Sequence, residues 1–252
     1  MSERWALVSG ATRGIGRAVL ELLVLRGRSV VACARDAAAL ALLEQAHAGR
    51  VLGLPVDLTV PGRGVWVVDE AERRVGPLSE LVLAAGMVDY APIGEVDERS
   101  LRTQLELNFI APFSMLQHVG GLMRARGAGS MVVVASTLAL RPAPTTAAYA
   151  ASKAALISAA RSCALELAPE VRVNVVAPGV VDTDMIRTPR RTLVPGESEA
   201  QVVEAQLAQL RALHPLARLG TPAEVAEAVL YLLEASWVTG TVLTLDGGLT
   251  LG

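Results

Sequence analysis

Tyr149 and Lys153 stand four residues apart in Tyr149-Ala150-Ala151-Ser152-Lys153, and Ser136 lies thirteen residues upstream, at the end of an apolar run. Residues at i and i+4 share one face of a helix, so the Lys153 ammonium can lie near the Tyr149 phenol. A free phenol has a pKa of about 10, too high for easy proton exchange near neutrality. A neighbouring cation favours the phenolate and lowers that value. The pair can then give or take a proton as a general acid–base, with Ser136 hydrogen-bonding the same substrate oxygen. Tyrosine and lysine also meet at this spacing on ordinary helices, so the meaning of the pair depends on the rest of the chain.

The N-terminus supplies context. An apolar run, Trp5-Ala6-Leu7-Val8, leads into Ser9-Gly10-Ala11-Thr12-Arg13-Gly14-Ile15-Gly16, followed by a helical pattern through Val19, Leu22 and Leu23. The run suits a buried parallel strand. Gly10 permits a tight turn, Gly14 and Gly16 let backbone approach a bulky anion, and the start of the next helix offers N–H groups and a positive dipole end to phosphate. A second strand is expected at 29–34, ending in Ala34-Arg35-Asp36. An acid at that strand end selects NAD through the ribose hydroxyls, whereas a base accommodates the 2′-phosphate of NADP. Arg35, with Arg13 from the glycine loop, points to NADP(H) before NAD(H). Asp36 competes for the ribose role, but it is better placed to cap a helix beginning at Ala37.

Strands are expected at 4–9, 29–34, 51–56, 80–84, 130–135, 172–177 and 241–245. Helices are expected at 15–26, 37–47, 62–75, 98–125, 147–167 and 222–233, with another near 199–212. Thr221 caps the helix that opens on Pro222, with Glu224 in its first turn. This alternation predicts an α/β fold: a single Rossmann-type, doubly wound, seven-stranded parallel sheet with helices on both faces. One domain is expected over residues 1–252. Within it the segment 182–215, with Pro189, Pro195, Gly196 and Arg187, Arg190 and Arg191, breaks the rhythm and reads as a substrate-loop insertion.

The chain has 252 residues, of which 52% are hydrophobic, 19% charged and only 3% aromatic, so the core must rest on Val, Leu and Ala. The net charge of −2 comes with no long basic run, which argues against a nucleic-acid partner. No uncharged stretch reaches the roughly 18 apolar residues of a membrane span. The N-terminus lacks a signal-peptide pattern, and a cytoplasmic setting is expected. Cys33 and Cys163 fall inside a strand and a helix, so no disulfide framework is expected. His47, His118 and His214 are scattered without ligand spacing, and no metal site is expected.

On these residues the chain resembles the short-chain dehydrogenase/reductase family over its whole length. Ser9 to Gly16 looks like the family's glycine motif, with serine in place of the usual threonine. Asp57, after Leu54-Pro55-Val56, matches the aspartate at the adenine ring. Asn108 matches a fourth catalytic position beside Ser136, Tyr149 and Lys153. Pro178-Gly179 and Thr183 match the nicotinamide loop, and Asp246-Gly247-Gly248 matches a C-terminal signature. The resemblance implies that Tyr149 exchanges the proton and that Lys153 tunes it and holds the nicotinamide ribose. It also implies that Ser136 positions the substrate oxygen and that Asn108 supports a proton-passing water. The implied cofactor site comprises Gly10, Thr12, Arg13, Gly14, Ile15, Gly16, Arg35, Asp57, Leu58, Ala85, Gly86, Tyr149, Lys153, Pro178, Gly179, Val181 and Thr183.

One departure is plain. Leu83-Ala84-Ala85-Gly86 stands where the family usually has Asn-Asn-Ala-Gly, which removes polar contacts at the strand end.

The sequence around 174–185 and 215–222 looks like 3-oxoacyl-[acyl-carrier-protein] reductases. The insertion and the chain's ending look like 2,3-dihydro-2,3-dihydroxybenzoate dehydrogenases. The first group implies NADPH-dependent reduction of a carbonyl, free or carried on a thioester, and a basic docking patch to which Arg124 and Arg126 could contribute. The second implies NAD-dependent oxidation of a cyclic dihydrodiol acid, with the insertion's arginines meeting the carboxylate. A non-catalytic dinucleotide-binding sensor or scaffold is the remaining alternative. Met87, Leu138, Pro144, Met185 and Ile186 are candidates for an apolar pocket wall. A homotetramer is implied, built partly on the helices at 98–125 and 147–167. There Ala150, Ala151, Ala154 and Ala155 would allow close packing, unless they face the chain's own sheet.

Overall fold

A computed structural model describes residues 4–188 and 198–251. Its strands are short and almost wholly apolar, as burial on both faces demands. They are β1 (Trp5–Ser9), β2 (Ser29–Ala34), β3 (Val51–Pro55), β4 (Leu78–Leu83), β5 (Gly129–Val134), β6 (Val171–Pro178) and β7 (Val242–Leu245). They form one sheet in the order β3-β2-β1-β4-β5-β6-β7, every neighbouring pair parallel. The helices are α1 (Gly14–Leu25), α2 (Ala37–Ala46), α3 (Arg63–Val75), α4 (Glu98–Leu105), α5 (Ala111–Arg126), α6 (Ala147–Leu167), α7 (Glu199–Ala212) and α8 (Pro222–Glu234).

Side chains alternate along β1 into two cores. Leu7 packs with Val67 of α3, Met115 of α5 and Leu156 of α6 on one face. Ala6 and Val8 pack with Leu20 of α1, Leu40 of α2 and Val229 of α8 on the other. The doubly wound expectation therefore holds, with strand and helix ends moved by one or two residues.

One long helix expected at 98–125 is instead α4, a π-helical turn over Glu106–Ile110, and α5. Pro112 has no N–H to give the carbonyl four residues back, that of Asn108, so the regular ladder is interrupted there. The 182–215 insertion is packed rather than loose in its described part. Ile186, Leu207, Leu210 and Leu219 form a small core of their own. Pro189, Arg190, Arg191, Pro195 and Gly196 lie outside the described residues.

The strand order reverses between β1 and β4, and the loops leaving the carboxyl ends of these strands open a crevice there. Ligands of open α/β sheets bind at such a switch point.

Candidate active site

The Ser9–Gly16 turn leaves β1 at this crevice. Gly10 has φ +69°, and a Cβ there would lie 2.8 Å from the Ala85 Cα. A Cβ on Gly16 would lie 2.2 Å from the Gly10 carbonyl oxygen. Only glycines allow strand, turn and helix to close up this far. Arg13 precedes α1 in extended backbone and gives no side-chain cap, so the first N–H groups of the helix have no side-chain acceptor. That donor set fits an anionic phosphate ligand.

At the end of β2, Arg35 is exposed, while Asp36 accepts a hydrogen bond from the Ala39 amide at 2.9 Å and caps α2. Asp57 is exposed. Its carboxylate accepts from the Thr59 amide and hydroxyl at 2.9 and 2.8 Å. The amide bond, opposed by partial burial, holds Asp57 below its ordinary value, with the Arg35 charge assisting. The Leu58 side chain is buried in the core, so only its backbone can face a ligand.

The strand end that lacks the two asparagines is hydrogen-bonded from β1. Leu83 and Ala84 join the two cores, and the Ser9 hydroxyl accepts from the Ala84 and Ala85 amides at 3.1 and 3.2 Å. Sequence reasoning noted Ser9 only as a substitute for threonine and did not connect it with the missing asparagines.

Across the crevice, Tyr149, Ser152 and Lys153 project from α6 and are buried. The Tyr149 phenol lies close enough to Ser136 for that hydroxyl to pull its pKa down. The Ser136 hydroxyl also accepts from the Leu138 amide at 3.1 Å, which fixes its direction. The Lys153 ammonium donates to the Val134 carbonyl at 3.0 Å and lies 5.9 Å from the Tyr149 ring centroid. Burial pushes the Tyr149 phenol up to about 12, against the lowering effect of Ser136, and neighbouring Tyr90 adds to the rise. Burial likewise pushes Lys153 down to about 8. The expected lowering of the phenol by Lys153 is not found: desolvation, which disfavours the charged form of both groups, sets the Tyr149 shift, and the opposing pull comes from Ser136.

Asn108 sits in the π turn, fully buried. Its Oδ1 accepts from the Met87 amide at 2.9 Å; its Nδ2 donates to the Met87 carbonyl at 2.9 Å and to the Ser152 hydroxyl at 3.1 Å. A Cβ on Gly86 would lie 3.3 Å from both Asn108 Oδ1 and Lys153 Nζ. Asn108, Lys153 and the backbone after β4 therefore converge on one point.

A cavity of about 110 Å³ opens over Tyr149 and Ser136. Leu138, Met185 and Ile186 line it, as the sequence reading expects, together with Ile15, Pro178, Gly179, Val181 and Thr183. Met87 and Pro144 do not. Val88 and Tyr90 do, and sequence reasoning missed both; the available signal was a lone tyrosine four residues after Gly86, in a chain with three tyrosines.

Arg126 pairs with Glu72, and Arg124 donates to the Glu166 carbonyl. Both end α5, which leads into the start of β5, so within one chain they lie at the amino ends of the strands, away from Tyr149. Ala150 is buried within its own chain, whereas Ala151 and Ala154 are exposed. Among the described residues no cluster of His, Cys, Asp or Glu could hold a metal ion, and no helix is long and apolar enough to cross a membrane.

Comparison with known proteins agrees with the geometry. A family model described as enoyl-(acyl carrier protein) reductase matches residues 10–250. The chain belongs to the short-chain dehydrogenase/reductase family. It is 36% identical over 254 residues to the vibriobactin-specific 2,3-dihydro-2,3-dihydroxybenzoate dehydrogenase of Vibrio cholerae, covering 97% of this chain and 95% of that one. It is 34% identical over 257 residues to the cis-4-hydroxycyclohexanecarboxylate dehydrogenase of Sinomonas cyclohexanicum, covering 99% and 97%. A solved 3-oxoacyl (acyl-carrier-protein) reductase from Agrobacterium tumefaciens, with NADP bound, superposes with a TM-score of 0.88 at 33% identity, covering 97% of this chain and 93% of that one. This family member is thus an oxidoreductase acting on an alcohol or carbonyl group.

Proposed function

We propose that the chain uses NADP(H) to reduce a carbonyl to an alcohol, with Tyr149 as proton donor. The observation that carries this reading is the Tyr149–Ser136 pair at the base of the apolar cavity. The bound nicotinamide supplies the hydride, the chemistry no side chain can perform. Ser136, aimed by the Leu138 amide, positions the substrate oxygen. Tyr149, its pKa raised by burial, is protonated at neutral pH and ready to donate. Asn108 anchors the backbone after β4, beside the Lys153 ammonium. In the oxidation direction the phenol must first lose its proton, so that rate rises with pH through the alkaline range.

Arg35 and Arg13 would meet the 2′-phosphate, since Asp36 is occupied by its helix cap. Gly10, Thr12, Gly14, Ile15 and Gly16 would hold the pyrophosphate. Asp57, Leu58, Ala85 and Gly86 would hold the adenosine end, and Pro178, Gly179, Val181 and Thr183 the nicotinamide end. The described cavity lining has no cationic side chain, which favours a neutral carbonyl or an acyl thioester over a free carboxylate. Arg187 is held by Asp182 at 2.7 Å. A single domain in a cytoplasmic setting belongs to the same reading, as does a homotetramer. Trp237, Leu165 and Tyr231, all exposed, are apolar enough to serve subunit contacts.

The test is initial rates with NADPH and NADH on a β-ketoacyl thioester, an aromatic ketone and a quinone, with the reverse reaction on a cyclic dihydrodiol acid. NADPH-preferring carbonyl reduction is expected. Tyr149→Phe should lower turnover by about 10²–10⁴-fold while NADPH binding persists. NAD-only oxidation of the diol acid would instead make the chain a dihydrodiol dehydrogenase. Wild-type turnover by the phenylalanine variant would remove Tyr149 from the chemistry.

A further inference from the structure

His214 follows α7 and is buried, 3% exposed. Its Nδ1 lies 2.8 Å from the Leu210 carbonyl oxygen, which can only accept, so Nδ1 carries the proton. Its Nε2 lies 3.2 Å from the Val180 amide, which can only donate, so Nε2 must be bare. The two contacts together fix the neutral Nδ1–H tautomer. Val180 belongs to the loop that leaves β6 and lines the cavity over Tyr149. The same helix also grips the other wall: Gln206 donates to the Ile186 carbonyl at 2.8 Å. The insertion is thus tied to the reacting end of the site through this imidazole on one wall and Gln206 on the other.

We infer that His214 is a positioning residue, which in its neutral form holds the Val180 backbone, and with it the loop proposed to bind the nicotinamide, in its working place. This rests on the dinucleotide reading given above. A second proton on the ring would set an N–H against the Val180 N–H, replacing an attraction by a repulsion and releasing the loop. A second cavity, of about 90 Å³, is bounded by His214, Val180, Arg218, Glu224 and Asp246 and gives solvent a path toward the ring. Of the charged groups around it, Asp246 is near enough for its charge to interact with His214, besides making its own hydrogen bonds. Asp246 accepts from the Gly248 and Thr250 amides and the Thr250 hydroxyl. Arg218 pairs with Glu224, which also accepts from Thr221. Among the described residues the ring's own hydrogen bonds run to Leu210 and Val180.

The test is amide hydrogen exchange on dinucleotide-free protein across pH, read as the protection factor of Val180, with NADPH titration by fluorescence beside it. Two variants separate the effects. His214→Phe keeps a ring but neither hydrogen bond. His214→Gln keeps a carbonyl that can accept from Val180 and has no proton to gain. Wild-type protection should hold at neutral pH and fall on acidification. In the phenylalanine variant it should be about tenfold lower at every pH, the loss of one hydrogen bond to a backbone amide. In the glutamine variant it should be retained and insensitive to acid. NADPH dissociation constants should rise in the same order. Unchanged Val180 protection in the phenylalanine variant, or an acid loss that persists with glutamine, overturns the assignment. If wild-type protein binds no dinucleotide, the functional reading fails while the exchange result still stands or falls by itself. Should the phenylalanine variant not fold, the glutamine variant and the imidazole ¹⁵N shifts of wild type decide, an Nε2–H tautomer being fatal.

Discussion

Burial acts on Tyr149 and Lys153 in opposite senses, and the lysine makes the sharper test. Lys153 moves from 10.5 as a free side chain to about 8 in the fold, because its ammonium is desolvated. A group whose folded value is depressed adds stability above its unfolded value and loses that contribution as pH falls through the folded one. At neutral pH the buried ammonium is therefore a cost, on the order of 3 kcal/mol, that the protein carries to keep a cation at the site. Lys153→Met removes the charge and gives up the hydrogen bond to Val134, worth about 1 kcal/mol. We expect turnover to fall by at least about 10²-fold while the thermal midpoint at pH 7 rises by about 5 °C. The stability gain should shrink toward pH 10 and above. A variant that melts at or below wild type at pH 7 would show that the ammonium is not a net burden. The spacing made the pair legible in the sequence. The balance of its charges was not, because desolvation depends on what α6 is packed against.

The elements that carry the site were largely legible, since apolar runs and glycine turns mark β1, β2 and the start of α1 directly. Contacts between elements were not. Ser9 and Leu83 are register partners on β1 and β4, and only that pairing shows that a hydroxyl from the first strand holds the backbone amides just past the fourth. Ser9→Ala would leave the Ala84 and Ala85 amides without their acceptor and cost about 1–3 kcal/mol. Because Gly10 packs on Ala85, the same change should weaken NADPH binding, whereas Ser9→Thr should preserve both properties. Denaturant midpoints and a dinucleotide titration check this. An alanine variant with wild-type affinity would mean that the strand end is held by packing alone. The π turn was similarly hidden: Pro112 was in plain view, but the amphipathic pattern runs on across it, so 98–125 read as one helix.

At the scale of the molecule the sheet has two ends with different duties. The carboxyl ends hold the candidate chemistry, while the amino ends hold a buried charge network. Arg28, ahead of β2, lies 2.8 Å from a carboxylate oxygen of Glu80 in β4, with both side chains buried, and 3.0 Å from the half-exposed Glu234 of α8. Arg172 of β6 ties the same end together through the Leu232 and Val238 carbonyls and the Ser130 hydroxyl. Desolvation raises the Glu80 carboxyl, and the Arg28 charge opposes that rise. A strand pattern beginning at Glu80 gave no hint that this charge would be buried, because its partner is 52 residues away. Removing one partner of a buried pair leaves the other desolvated and unpaired, so Glu80→Ala should cost about 3–5 kcal/mol. Replacing both, as Arg28→Leu with Glu80→Leu, should cost far less or even stabilise, since the attraction of such a pair barely repays its desolvation. Turnover per folded molecule should stay at the wild-type value in both cases, because the network lies at the far end of the strands from Tyr149. Urea denaturation combined with active-site titration separates the outcomes. A double variant as unstable as Glu80→Ala would show that the pair holds the amino ends of the strands together by a net attraction.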